Sequence, residues 1–288
     1  ALAGCCGVKA TIGETPPFFN FRMITEAQSS PAVNRRFDMR VLIGVNDFTG
    51  SSEVGSLFVR PEHRADLLRW SDDMLKGLAT EATAEQLEAA GNAFVEYTLY
   101  ATEVIAERRK TPRDDLMSIL VQAEVDGDHL TDEEIIQESL LILIGGDETT
   151  RHVISGGVHQ LLEHRDQWDR LATDPSLRPA AIEEMLRWVT PIKNMVRTAT
   201  RDVVLGDQQI LAGDELMLLY PSANRDEDVF VEPFTFDSAR TPNDHVAFGF
   251  GTHFCLGASL ARLEIGVMLD ELLARVPGLA LADPAAPL

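Results

Sequence analysis

A chain of 288 residues with 45% hydrophobic and 25% charged side chains is long enough to bury a sizeable core in one or two domains and ordinary enough to be globular. Its formal net charge of −21 argues against a surface built for nucleic acid or for insertion into an anionic membrane, and for a cytoplasmic setting. Three cysteines, two of them adjacent, make no disulfide framework, and no run of about 18 apolar residues offers a transmembrane helix.

Residues 1–60 carry no sustained periodicity. Pro16-Pro17, Ser29-Ser30-Pro31 and Thr49-Gly50-Ser51-Ser52 punctuate short apolar pieces, and no function is assigned to them. Leu2-Ala3-Gly4-Cys5 has the outward form of a lipoprotein cleavage site, but no charged or apolar stretch precedes it, so it is read as chance. From residue 61 the pattern becomes helical. Leu67, Leu68, Met74, Leu75 and Leu78 recur at helix spacing, as do Leu87, Phe94, Val95, Val104 and Ile105, which predicts amphipathic core helices. Thr111-Pro112 interrupts them before a shorter helix through Leu116, Ile119 and Leu120.

A long helix follows. Thr131 and Glu134 form a capping-box pattern, and helical character runs to about Leu162, roughly 50 Å at about 1.5 Å per residue. Leu140-Leu141-Ile142-Leu143-Ile144 is apolar on every side and is predicted to be buried all round. Next come Gly145-Gly146-Asp147-Glu148-Thr149-Thr150. Two glycines in a helix interior cost about 1 kcal/mol each, and polar groups beside a buried segment cost more unless satisfied. The conflict predicts a local kink or π-bulge that makes room for a diatomic ligand. The alternative is a helix bend with Glu148 in a salt bridge.

Residues 165–176 read as a short helix ending at Asp174-Pro175. In the helix from Pro179 to Trp188, Glu184 and Arg187 lie three apart on one face. Taken alone, such a pair is a solvated salt bridge worth little. Pro191 ends that helix, and from Arg197 to Leu219 the pattern changes to strands with a turn at Gly206-Asp207. An irregular stretch from Ala223 then leads to Ala247–Ala261. There Gly249, Gly251 and Gly257 allow tight turns and the close approach of a flat ligand. Beyond Cys255 the stripe Leu256, Leu260, Leu263, Met268, Leu272 and Leu273 begins a helix. A cysteine at a helix N-terminus is favoured as a thiolate, a good iron ligand; the alternative is a small, inert, buried hydrophobe.

The run Phe248-x-x-Gly251-x-x-x-Cys255-x-Gly257-x-x-x-Ala261 resembles the haem-binding loop of the cytochromes P450 at every defining position, a far stronger signal than a bare glycine motif. The resemblance implies a P450 fold, mainly α with small β-sheets, in a partial haem domain over residues 61–288. It implies haem b as cofactor, with Cys255 as the axial thiolate whose electron donation favours O–O cleavage. Phe248, Gly249, Gly257 and Ala261 would lie beneath that cofactor, Gly146 and Thr150 would touch it, and Arg197 and His253 would pair with its propionates.

The segment Gly145–Thr149 resembles the P450 distal-helix motif. By that likeness Glu148 and Thr149 deliver protons to dioxygen, while Ile144, Gly145, Met195 and Val196 contact substrate. Glu184 and Arg187 resemble the family's buried Glu-x-x-Arg pair. Its usual third member, an arginine or histidine in the proline-aromatic segment, is replaced by Thr235 in Pro233-Phe234-Thr235-Phe236, which predicts an incomplete triad. Arg64–Asp73 looks like the first of the helices that lid the distal pocket.

Leu143–His152, Pro191–Arg197 and Ala247–Gly257 are closest to actinobacterial P450s that oxidise the terminal methyl of the cholesterol or cholest-4-en-3-one side chain. The alternative is a relative acting on branched fatty or isoprenoid chains. Implied partners are a ferredoxin with its reductase, O2 and a lipophilic, sterol-like substrate. The family's N-terminal sheet, its B–C helix region and its last strands are not found, so the expectation is an incomplete P450 whose residues 1–60 are a replacement and whose strands at 203–219 lack partners. Two other classes remain open: a haem-binding sensor, and a haem-free helical remnant without turnover.

Overall fold

The computed structural model describes residues 23–25, 63–79, 81–125 and 127–281. The punctuated segments and the Leu2–Cys5 pattern of the first 60 residues lie outside the described residues, apart from a short strand β1 (Met23–Thr25). The chain divides into two compact units at the step from Arg151 to His152.

The first unit holds α1 (Arg64–Gly77), α2 (Ala84–Lys110), α3 (Leu116–Gln122), the hairpin β2 (Glu124–Val125) and β3 (Asp128–His129), and the first part of α4 (Asp132–Glu163). Helix α2 starts in a capping box. The Gln86 amide donates to Thr83 Oγ1 at 3.2 Å and the Thr83 amide donates to Gln86 Oε1 at 2.8 Å, which satisfies N–H groups that a helix start leaves open. Thr131 and Glu134 cap α4 in the same way, as their spacing predicts.

The core of this unit joins Leu67, Trp70 and Met74 of α1, Ala93, Tyr97, Tyr100, Ala101, Val104 and Ile105 of α2, and Ile135, Ile136 and Leu140 of α4. The buried stripe of α2 therefore combines alanine and tyrosine with the expected Val104 and Ile105, while the expected Leu87, Phe94 and Val95 are exposed. Small residues let neighbouring helices approach, and Tyr97 can be buried because its hydroxyl donates to Ser139 Oγ at 2.8 Å. Leu140 is buried, but Leu141 is 66% exposed. The expectation of burial all round is corrected here: one residue is about 100° of helix turn, enough to carry Leu141 away from the core that Leu140 meets.

The second unit holds the rest of α4, α5 (Arg165–Thr173), α6 (Arg178–Val189), strands β4 (Asn194–Thr198), β5 (Val203–Leu205), β6 (Gln208–Ile210) and β7 (Glu215–Leu219), a single turn α7 (Tyr220–Ala223), α8 (Ala258–Arg275) and β8 (Leu279–Leu281). The strands pair antiparallel two by two: β4 with β7 from Asn194↔Leu219 to Thr198↔Glu215, β5 with β6, and β1 with β8. The strands of 203–219 thus do have partners, against the expectation. Asn194–Thr198, most of which precedes the predicted start of the strands at Arg197, is itself a strand.

Helix α4 meets α6 through Gly156 and Gly157; a Cβ added at Gly156 would sit 2.8 Å from Val189 Cγ2, so only glycine permits this approach. Helix α8 buries Ala258, Ile265, Met268, Leu269, Leu272 and Leu273. Leu256, Leu260 and Leu263 of the expected stripe are exposed, because the inward side is taken by Ala258, Ile265 and Leu269.

Candidate functional site

The cysteine loop is closed by its own backbone. Gly249 and Gly251 have φ of +73° and +75°, a left-handed conformation that glycine adopts without strain. They turn the chain so that the Cys255 amide donates to the Phe248 carbonyl at 2.9 Å and the Phe254 amide donates to the Gly251 carbonyl at 3.0 Å. Cys255 is half-buried, three residues ahead of α8. A Cβ at Gly257 would approach its Sγ to 3.9 Å, and the Ala261 amide donates to the Gly257 carbonyl at 2.8 Å.

Beside this thiol the chain leaves large apolar groups open to solvent. Phe250 and Leu256 are each 87% exposed, with Phe254 and Leu260 also exposed. Uncovered apolar surface of this kind is available to an apolar ligand or partner. A half-buried thiol among glycine turns and open aromatic and aliphatic side chains fits a flat, apolar macrocycle whose metal asks for one protein ligand, as the resemblance implies.

Arg197 and His253, the expected partners of the propionates, are exposed. Arg197 lies on β4, where its Nη1 donates to the Val196 carbonyl at 2.9 Å. His253 sits in the 3-10 turn Gly251–His253. Neither forms an ion pair with a carboxylate among the described residues, so both side chains are open to an anionic group. Met195 and Val196, the expected substrate contacts, are exposed on successive positions of the same strand and face opposite sides of it.

In the other unit, Gly145 and Gly146 are exposed and a Cβ at either would meet open space, while Ile144 is half-buried. The helix runs unbroken as α-helix through both glycines. The expected π-bulge is therefore corrected, while Thr149 Oγ1 donates to the Gly145 carbonyl four residues back at 2.8 Å, a back-bond of the kind made within α-helical turns. Glu148 is ion-paired with Arg151, whose Nη2 also lies 3.7 Å from Asp72 of α1. This is the salt bridge that the alternative reading named. Thr150, expected at the cofactor, is buried and offers little surface to a ligand.

Glu184 and Arg187 are both 0% exposed. Arg187 Nε and Nη2 donate to the two carboxylate oxygens at 2.7 Å each, Nη1 donates to the carbonyls of Asn224 and Pro233 at 2.8 and 2.9 Å, and Nη2 also reaches the Thr235 carbonyl at 3.3 Å. Burying such a pair is tolerable only when every remaining donor and acceptor is used. The carboxylate completes its set with the Asp237 amide at 2.9 Å, Asn243 Nδ2 at 3.1 Å and Arg240 Nε at 3.1 Å. The triad is therefore complete. Its third member is Arg240 rather than residue 235, and the Thr235 carbonyl accepts from both arginines.

A second network escaped the sequence. Arg262 of α8 forks onto Glu183 of α6 at 2.7 and 2.9 Å, and His245 Nε2 meets the same carboxylate at 3.1 Å. Burial pushes the Glu183 carboxyl up, but the bonds from Arg262 and His245 outweigh it and pull the group down to about 2. One signal was available for Arg262: its position seven residues after Cys255, about two helical turns on. For Arg240 there was none, since it lies in irregular chain.

Residues 71–276 match the family model described as cytochrome P450. Residues 1–72 match that of the arginine N-succinyltransferase beta subunit, so the segment 1–60, which lacks P450 features, falls inside a different likeness. The chain is 55% identical over 225 residues to a steroid C26-monooxygenase of Mycobacterium tuberculosis, covering 78% of this chain and 60% of that protein. It is 48% identical over 189 residues to a methyl-branched lipid omega-hydroxylase of Mycobacterium bovis, covering 65% of this chain and 44% of that one. A crystal structure of CYP109E1 from Bacillus megaterium in complex with testosterone superposes with a TM-score of 0.74 at 37% identity, over 82% of this chain and 64% of the other. The chain thus spans less than two thirds of the length of these relatives. With the cysteine loop, the buried Glu-Arg-Arg cluster and the family match in agreement, the chain belongs to the cytochrome P450 family.

Proposed function

We propose that residues 61–288 are the haem-thiolate part of a monooxygenase that hydroxylates an unactivated C–H bond, the terminal methyl of a steroid side chain of the cholesterol or cholestenone type. The observation that carries the reading is the cysteine loop: a half-buried Cys255 whose amide is held by the Phe248 carbonyl beside apolar surface left open. When bound, haem b supplies dioxygen activation and C–H oxidation. The protein supplies position, ligand and protons. Cys255 would provide the thiolate, Arg197 and His253 would offer hydrogen-bond donors to the propionates, and the cradle would be completed by Phe248, Gly249, Gly257 and Ala261.

Thr149 lies on a helix face opened by Gly145 and Gly146 and must release its hydrogen from the Gly145 carbonyl before it can donate elsewhere, and Glu148 is the carboxylate next to it, ion-paired with Arg151. To pass a proton, Glu148 must exchange its bond to Arg151 for one to water or to the Thr149 hydroxyl. Ile144, Gly145, Met195 and Val196 are the apolar or open positions offered to substrate. A ferredoxin and its reductase are the proposed electron source, and the cytoplasm the proposed location; no helix among the described residues is long and apolar enough to cross a membrane.

The relative named as a steroid C26-monooxygenase supports the sterol side chain. The relative named as a methyl-branched lipid omega-hydroxylase supports the second reading, a branched lipid chain. The two are separated by titrating the haem-loaded protein with cholestenone and with a methyl-branched fatty acid. A spin-state shift in the Soret band at lower concentration of cholestenone supports the first, and the reverse order supports the second. Failure to take up haem would leave neither.

A further inference from the structure

The loop that carries Cys255 is gripped at a second place, away from the thiol. Phe248 supplies the carbonyl that takes the Cys255 amide, so any movement of Phe248 is passed directly to the cysteine backbone. Its ring is enclosed by three groups. The Arg262 guanidinium lies 4.7 Å from the ring centroid, the His245 ring 6.1 Å away, and the Phe254 ring 6.1 Å away in a T-shaped contact. A cation at that distance over an aromatic face is attracted to it, and an edge-on ring pair has a preferred geometry.

Arg262 in turn has little freedom. Its Nε and Nη2 donate to the two oxygens of Glu183 at 2.7 and 2.9 Å, a fork that fixes the plane of the guanidinium as well as its distance. The remaining reach of Glu183 goes to His245 Nε2 at 3.1 Å. The tautomer follows from the other ring nitrogen. Nδ1 of His245 accepts the Ala247 amide at 3.2 Å, so a neutral His245 carries its hydrogen on Nε2 and donates it to Glu183. The result is a closed circuit of side chains from α6, the segment 245–248 and α8, with the Phe248 ring inside it.

We infer that Glu183, Arg262 and His245 are positioning residues for the cysteine: they set the plane of the Phe248 ring and, through the Phe248 carbonyl, the place of the Cys255 backbone and Sγ. This rests on Cys255 being the axial ligand, but the clamp is testable without the metal. The simpler role for such a pair is a strut that docks α6 against α8. A strut needs only opposite charges. A clamp needs the planar fork and the stacked face, which lysine cannot reproduce.

The experiment uses the full chain with Arg262→Lys, Arg262→Gln, Glu183→Gln and Phe248→Leu. The first readout is the rate at which iodoacetamide alkylates Cys255 in the haem-free protein, followed on the Cys255 peptide by mass spectrometry so that Cys5 and Cys6 do not contribute. The clamp predicts a several-fold change of rate in Arg262→Lys equal to that in Arg262→Gln. It also predicts no further change when Arg262→Lys is added to Phe248→Leu. The second readout is the fraction of thiolate-type Soret absorbance in the reduced, CO-bound, haem-loaded variants, expected to fall in parallel. Rescue of both readouts by lysine would overturn the proposal in favour of a strut, as would additive effects of Arg262→Lys and Phe248→Leu. Wild-type protein that alkylates as predicted but never shows a thiolate Soret band would defeat the ligand assignment and leave the clamp standing. Variants that lose helical circular dichroism are replaced by His245→Gln, for which the clamp predicts a smaller change of the same sign and a strut predicts none.

Discussion

Thr149 and Glu148 show how far a side chain's role depends on what it is bonded to. The Thr149 hydroxyl spends its hydrogen on the Gly145 carbonyl and Glu148 is held by Arg151, so both must break a bond before they can handle a proton. If they do, Thr149→Ala raises the electrons consumed per product about tenfold, below the roughly 100-fold or more that a general acid contributes to rate, and Thr149→Ser restores coupling. An unchanged ratio of NADH oxidised to product in the alanine variant would remove Thr149 from the mechanism.

Glu183 gives a test by pH. Its folded-state carboxyl lies at about 2 against an ordinary value of 4.5. A depressed carboxylate contributes stability that is complete above 4.5 and is lost as pH falls toward 2. Glu183→Gln should therefore lower the urea midpoint by its full amount at neutral pH and by progressively less below pH 4.5. A deficit that stays constant across that window would mean that the charge is not what stabilises. These residue-scale contacts were legible in part. Glu184 and Arg187 announce themselves at helical spacing, whereas Arg240 reaches the same carboxylate across 56 residues of sequence separation, and no local pattern encodes that.

At the scale of elements, the capping boxes and the long helix were readable because both are local physics: a hydroxyl and an acid three residues apart satisfy each other's orphan amides. The packed faces were not. Helix α2 packs with Ala93, Tyr97 and Ala101, residues that a search for leucine stripes passes over, and Leu141 and Leu263 advertise burial that the structure denies. The π-bulge expected at Gly145-Gly146 followed from propensity alone. Thr149 and the rest of a 32-residue helix outweigh roughly 2 kcal/mol of glycine cost.

Two element-scale predictions follow from close packing. Gly157→Val places methyl groups where Met185 already stands, its Cβ only 2.8 Å from the position of an added carbon, and should cost about 1–3 kcal/mol by overpacking, read as a lower urea midpoint. Glu184→Ala strands the wholly buried Arg187 and should cost about 3–5 kcal/mol. Denaturation midpoints within error of wild type in either case would contradict the packing described.

For the whole molecule, 206 residues from 71 to 276 read as P450 and the first 72 resemble something else. The sequence separates the two only approximately, since helical periodicity begins near residue 61, inside the span of the second likeness. What it could not supply was the pairing of the strands, which depends on register between distant segments, or the circuit around Phe248, which gathers residues from 183 to 262.

The central claim is that Cys255 is the axial thiolate of a haem. It is tested most directly by loading the full chain with haem, reducing it, adding carbon monoxide and comparing wild type with Cys255→His. The account predicts the red-shifted Soret band of a thiolate-bound haem in the wild type and its replacement by an imidazole-type band in the variant. A wild-type chain that binds no haem, or one whose CO spectrum is the same as that of Cys255→His, would contradict it.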